Sequence, residues 1–126
     1  MGARTRSPGQ SLGAWAEDLV AEHLTGLGWT VLQRNWRCAQ GEVDLVAQDP
    51  SGSPTTVLVE VKCRGGRGFG DPLEAITSSK LARMRRLVAC WRRAHPDHRQ
   101  SIRLDAVGVL ARPGYAPQLT RLRGIG

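Results

Sequence analysis

The stretch EVDLVAQDPSGSPTTVLVEVKCR, residues 42–64, decides the fold. Its first part, EVDLVAQ (42–48), alternates polar and apolar residues as a half-buried strand does. DPSGSPT (49–55) carries the Pro, Gly and Ser of a surface loop. TVLVEVKCR (56–64) is a second β-rich run, and the two runs predict an antiparallel hairpin. A loop symmetric about Gly52 pairs residues whose numbers sum to 104, setting Val46 against Leu58, Asp44 against Glu60 and Glu42 against Lys62. Alternation then gives Val43, Leu45, Ala47, Val57, Val59 and Val61 one apolar face and Asp44, Glu60 and Lys62 the other.

That register raises a problem of charge. Opposed side chains start roughly 4.5–5.5 Å apart at Cβ, so Asp44 and Glu60 would be like charges nearly in contact. Such a pair repels unless one acid keeps a proton or a cation lies between them. Oxygen donors suit hard ions such as Mg²⁺, Mn²⁺ or Ca²⁺. An ion held there would polarise a phosphoryl oxygen, and Lys62, about 7 Å along the strand from Glu60, would stabilise developing charge. Two readings stand on this pattern: a phosphodiester-cleaving metal site, or a surface hairpin carrying an ordinary Glu42–Lys62 ion pair.

Outward from the hairpin, residues 10–27 space Leu12, Ala16, Leu19, Val20, Leu24 and Leu27 as a helix, with Ser11 or an earlier polar residue as its cap and Gly26 and Gly28 at its end. WTVLQRNW (29–36) reads as a strand and RCAQG (37–41) as a turn. GGRGFGDP (65–72) is a Gly-rich connection without the GK[ST] ending of a phosphate-binding loop. A second helix is expected over 77–94, with Leu81, Met84, Leu87, Val88 and Trp91 on its apolar stripe and Pro96 as its stop. SIRLDAVGVL (101–110) is a further strand and PQLTRL (117–122) a short last one. The expected fold is α/β, a mixed four- to five-stranded sheet flanked by helices in the order α-β-β-β-α-β. Residues 10–122 form one domain, with tails at 1–9 and 123–126.

The bulk composition points to an anionic partner. The 126 residues carry a formal charge of +7, and a hydrophobic content of 40% fits a folded domain rather than a disordered chain. All 18 basic residues except Lys62 and Lys80 are Arg, so a Lys inside a strand draws notice for its compact, rotatable ammonium. Cys38, Cys63 and Cys90 lack zinc spacing and fit a reducing compartment. The first ten residues lack the roughly 7–15-residue apolar stretch of a signal peptide, and no run of about 18 apolar residues occurs. The expectation is a cytoplasmic protein without a membrane anchor. His23, His95 and His98 show no catalytic pairing; Trp15, Trp29, Trp36 and Trp91 read as core; Asp105 reads as a structural ion-pair partner of an Arg.

With GEVDLVAQD and VLVEVKCR preceded by GAWAEDLVAEHLTGLGW and followed by FGDPLEAITSSK, residues 10–110 resemble the PD-(D/E)XK nuclease superfamily, in particular its YraN-like bacterial branch. They are also similar to archaeal Holliday-junction resolvases. The resemblance implies a restriction-endonuclease-like fold and a site that uses Mg²⁺ or Mn²⁺. It implies that Asp44, Glu60 and Glu17 are the metal ligands and that Lys62 orients the attacking water or stabilises the transition state. Val43 stands where the superfamily motif has Pro. Glu42 reads as a partner of Lys62 rather than a ligand. Arg64, Arg67, Lys80 and Arg83 are the candidate grips on a DNA backbone, the last two at the start of a helix. The implied activity is metal-dependent hydrolysis of DNA, in branched or damaged forms among others, and junction resolution would call for a homodimer. The alternatives are a non-catalytic nucleic-acid-binding protein that keeps the nuclease fold, or a scaffold in DNA processing.

Overall fold

A computed structural model describes residues 6, 8–65 and 72–125. Helix α1 spans Leu12–Gly26, and its first turn is closed by Ser11, whose Oγ accepts the Ala14 N–H at 3.0 Å. Ala16, Val20 and Leu24 recur along its buried face with Trp15 beside them, while Leu27, expected on that stripe, is the helix cap and lies exposed. Gly28 ends the helix with a left-handed backbone, φ 91°. Strands β1 (Thr30–Cys38), β2 (Gly41–Asp49) and β3 (Thr55–Gly65) follow, so the turn expected over 37–41 shrinks to Ala39 and Gln40. A 3₁₀ turn over Pro72–Ala75 leads to α2 (Ser78–Ala94), then β4 (Ser101–Ala111) and β5 (Gln118–Leu122). Thr77 caps α2, its Oγ1 accepting the Lys80 N–H at 3.3 Å.

The five strands form one sheet in the order β1-β2-β3-β4-β5. β3 and β4 are parallel, which their connection through α2 permits, and the other neighbours are antiparallel. α1 covers one face, where Trp15, Ala16, Val20 and Leu24 meet Leu45, Ala47, Val57, Val59, Val107 and Val109. α2 covers the other, where Met84, Leu87 and Trp91 meet Val46, Leu58 and Leu104. This is the restriction-endonuclease-like arrangement of a mixed sheet between helices. Covering both faces explains the near-continuous apolar run Val57–Val61, broken only by Glu60, which strict alternation would not require.

The 104-sum register holds from Leu45↔Val59 to Asp49↔Thr55 and stops there. The expected opposed pairs Asp44–Glu60 and Glu42–Lys62 are not part of the ladder, and Val43 packs with Val46 and Leu58 under α2, not with Leu45 under α1. Regular pleating would return Val43 to the Leu45 face. The strand therefore turns over at Asp44, the residue where the β2–β3 ladder has just ended. On the opposite side the same position is irregular: β1 pairs Arg34 with Leu45 and Trp36 with Val43 but skips Asn35, whose φ is 53°.

Asp105 is fully buried and fixed by Arg103, Arg121 and the Gly124 N–H. The Ile125 N–H donates to the Leu104 carbonyl and its side chain packs against the α2-side core, so Gly124 and Ile125, expected in a tail, are tied to β4. Most of the tail at 1–9 and most of the Gly-rich connection lie outside the described residues. Trp15, Trp29 and Trp91 are buried, and Trp36 packs against the α2-side core. His95 stacks on Trp91, and His98 bonds Thr56, which makes both histidines parts of the packing. Cys38, Cys63 and Cys90 are free, half-buried thiols. Among the described residues no helix is long and apolar enough to cross a membrane.

Candidate metal and phosphate site

The site forms where β2 and β3 part. Because the ladder ends before Asp44, the Asp44 side chain turns toward β3 and its Oδ2 accepts the Val61 N–H at 2.7 Å. Glu42 lies two residues earlier on β2, and Glu17 reaches in from the first half of α1. Glu17, Glu42 and Asp44 each offer a carboxylate oxygen, and these three atoms lie within 4.8 Å of one another. All three residues are half-buried. Three anionic oxygens converging at that spacing fit a hard divalent cation such as Mg²⁺ or Mn²⁺, which prefers oxygen donors and tolerates no soft ones as well.

Charge crowding appears in the chemistry of Asp44. Its carboxyl is pushed up to about 7 from an ordinary 3.8, by burial first and by the charge of Glu60 second, with Glu17 and Glu42 adding to it; the Val61 N–H pulls the other way. A carboxyl in this state lacks positive charge that a cation would supply.

Glu60 acts on Asp44 through its charge but is not one of the three mutually close acids. It is 7% exposed and pairs with Lys62 Nζ at 3.1 Å and with Arg83 at 3.9 Å. The Glu42–Lys62 ion pair expected across the strands does not form: Glu42 bonds Arg37 Nε at 3.1 Å and Asn35 Nδ2 at 2.8 Å instead. Lys62 meets Lys80, which arrives from the first turn of α2. Burial works against the Lys62 ammonium, yet its pairing with Glu60 and the charge of Asp44 outweigh it and hold its pKa above the usual lysine value. Contact with Lys62 conversely lowers Lys80. A carboxylate trio thus lies beside a cationic group of Lys62, Lys80 and Arg83, with Glu60 paired to the cations and acting on Asp44 through its charge.

Of the residues named from sequence, Glu17 and Asp44 come together as ligand-capable acids, and Glu60, Lys62, Lys80 and Arg83 form the adjoining cluster. Arg64 continues β3 past Lys62 and is exposed. Arg67 lies outside the described residues. Glu42, read from the sequence as a partner of Lys62, joins the carboxylates instead, and Asn35 was not picked out. Glu42 had a usable signal, because Glu42 and Asp44 stand two apart on one strand. Asn35 had only a weak one, an Asn inside a strand pattern.

A cleft of about 720 Å³ runs between α1 and β1 past Asp18, Glu22, Leu32 and Arg34, and its lining includes none of Glu17, Glu42, Asp44 or Asn35. Glu60 and Lys62 lie toward the carboxyl end of β3, which runs parallel to β4, beside the start of α2; α/β sheets commonly place ligands at that end.

Comparison with known proteins adds the following. The family model described as "Uncharacterised protein family UPF0102" matches residues 16–109. The chain is 49% identical over 114 residues to a UPF0102 protein of Clavibacter michiganensis, covering 90% of this chain and 94% of the relative. It is 44% identical to one of Mycolicibacterium smegmatis, covering 91% and 92% of the two chains. It is 42% identical to one of Acidothermus cellulolyticus, covering 97% and 98%.

Proposed function

The chain belongs to the uncharacterised protein family UPF0102, and from that premise and the chemistry of its site we propose that it is a divalent-metal-dependent nuclease that hydrolyses DNA phosphodiester bonds. The observation that carries the reading is the convergence of Glu17, Glu42 and Asp44, with ligand atoms within 4.8 Å of one another, beside the Glu60–Lys62 pair. Glu17, Glu42 and Asp44 would hold Mg²⁺ or Mn²⁺. When bound, such an ion supplies charge that polarises a phosphoryl oxygen and acidifies a water.

The residues of the chain divide the remaining work. Lys62 stays protonated at neutral pH, since its pKa lies above the ordinary lysine value. It therefore donates to a phosphoryl oxygen and stabilises the charge that develops there, and is not the base that takes a proton from water. Glu60, buried between Lys62 and Arg83, fixes where that ammonium points. Lys80, Arg83 and Arg64 grip neighbouring phosphates, with the start of α2 adding its backbone N–H groups. The chain's +7 charge raises the local concentration of a polyanion without choosing a sequence.

The test is incubation of linear, single-stranded and four-way-junction DNA with the protein and Mg²⁺ or Mn²⁺. Native protein is expected to cut at least one of these, and Asp44→Asn and Lys62→Ala to slow cutting about 100-fold or more. One observation favours a second reading, a nucleic-acid-binding protein without turnover: Glu60 is committed to its ion pairs rather than to the carboxylate trio. DNA binding with no cleavage under any of these conditions would decide for that reading.

A further inference from the structure

We propose that Asn35 is the positioning residue of the carboxylate site, a neutral clamp that holds Glu17 and Glu42 at the spacing a divalent cation needs. The proposal rests on the metal reading above. Its observation is one nitrogen shared by two acids: Asn35 Nδ2 donates to Glu17 Oε1 at 2.9 Å and to Glu42 Oε1 at 2.8 Å. Glu17 belongs to α1 and Glu42 to β2, so no regular backbone bonding fixes their separation. A primary amide has two donor hydrogens on one atom, and here each serves a different carboxylate.

The backbone explains why this residue can do so. Asn35 has φ 53° within β1, at the position the β1–β2 pairing skips and directly across from Asp44. Asn tolerates that left-handed conformation better than most residues with a side chain. Gly would adopt it with no donor, Asp would adopt it with a third anion, and Gln carries the donors on a side chain less suited to the backbone. Of these four, only Asn meets both demands.

Neutrality matters as much as geometry. A Lys or Arg in this place would also draw the two acids together, but its charge would replace the cation they are meant to bind. The amide gathers the negative charge and leaves it uncancelled. Arg37, which also touches Glu42, has a side chain 77% exposed, and a solvated pair of that kind holds weakly.

The test compares Mn²⁺ binding, read by electron paramagnetic resonance of the free ion, in native protein, Asp44→Asn and Asn35→Gly. Gly keeps the left-handed backbone accessible and removes both donors. Expected is Mn²⁺ uptake by native protein that Asp44→Asn abolishes, and a Kd raised about 10-fold or more in Asn35→Gly. The unfolding midpoint of metal-free Asn35→Gly should stay near the native value. Asn35→Gly that binds Mn²⁺ as native protein does overturns the clamp and leaves the metal reading standing. Native protein that takes up no Mn²⁺ overturns the metal reading and the clamp with it. A measurement on native protein alone guards against a variant that fails to fold. The Asn35 side-chain amide resonances should move on Mg²⁺ addition and saturate with the ion, and resonances that stay put at saturation contradict the clamp.

Discussion

Asp44 holds opposing demands on one carboxyl, and they set the pH behaviour of the molecule. Its pKa of about 7, against 3.8 ordinarily, means that the folded chain keeps a proton that the unfolded chain releases above about pH 4. Between about pH 4 and 7 the folded state binds more protons, so stability falls as pH rises through that window and levels off above it. Asp44→Asn should remove this slope. At pH 7.5 it should stabilise the metal-free protein by about 1–3 kcal/mol, allowing for screening of a half-exposed group, while abolishing Mn²⁺ binding. Urea denaturation of both proteins at pH 5 and 7.5 checks this; a variant no more stable than native at pH 7.5 would contradict it. Asp49 behaves oppositely. Burial would raise it, but Ser51 and Arg103 hold it at about 2, so its contribution is present above about pH 4 and is lost as pH falls toward 2.

The strands and helices carry two lessons. Their bounds were legible because hydrophobic period and punctuation agree: Ser11, Gly28, Thr77 and Pro96 mark helix ends as their chemistry dictates. The register was legible next to the Gly52 loop, from Asp49↔Thr55 to Leu45↔Val59, but not beyond it, where Asp44–Glu60 and Glu42–Lys62 do not pair. What alternation could not reveal is the turnover at Asp44, because a strand that changes face has no marker in the order of polar and apolar residues. That turnover sends Val43 under α2, leaves Glu60 with Lys62 and Arg83, and brings Glu42 rather than Glu60 beside Glu17. Asn35 was invisible for a related reason, since its role follows from a backbone angle. The elements also separate folding from chemistry. Asp105 on β4 is fully buried against Arg103 and Arg121 and touches none of the candidate ligands. Asp105→Ala should lower stability by about 3–5 kcal/mol by stranding the Arg charges. A urea titration reads it, and a loss under about 1 kcal/mol would show the network to be dispensable. Gly108 pairs with Lys62, and a Cβ there would stand 3.1 Å from Leu73 Cγ and Pro72 Cβ. Gly108→Val should therefore cost about 1–3 kcal/mol in the same assay as the turn over Pro72–Ala75 is pushed off β4; native-like stability would contradict this.

At the scale of the whole molecule, fold and charge are arranged around one end of the sheet. Glu17 of the first half of α1, Glu42 and Asp44 of β2, Glu60 and Lys62 of β3 and Lys80 and Arg83 of α2 are brought together there. If that end grips DNA through phosphates, affinity falls steeply with salt. Lys80→Gln and Arg83→Gln should each reduce the slope of log K against log salt by about 1. Fluorescence anisotropy from about 50 to 200 mM salt measures this, and slopes identical to native would remove both residues from the interface. The central claim is narrower than DNA binding: three carboxylates and a strand turnover make a cation site. Anomalous scattering from crystals soaked in Mn²⁺ tests it most directly. A single peak bounded by Glu17, Glu42 and Asp44 is expected, with oxygens at about 2.0–2.3 Å. An empty map at those three acids, at Mn²⁺ concentrations that saturate known sites of this kind, would contradict it.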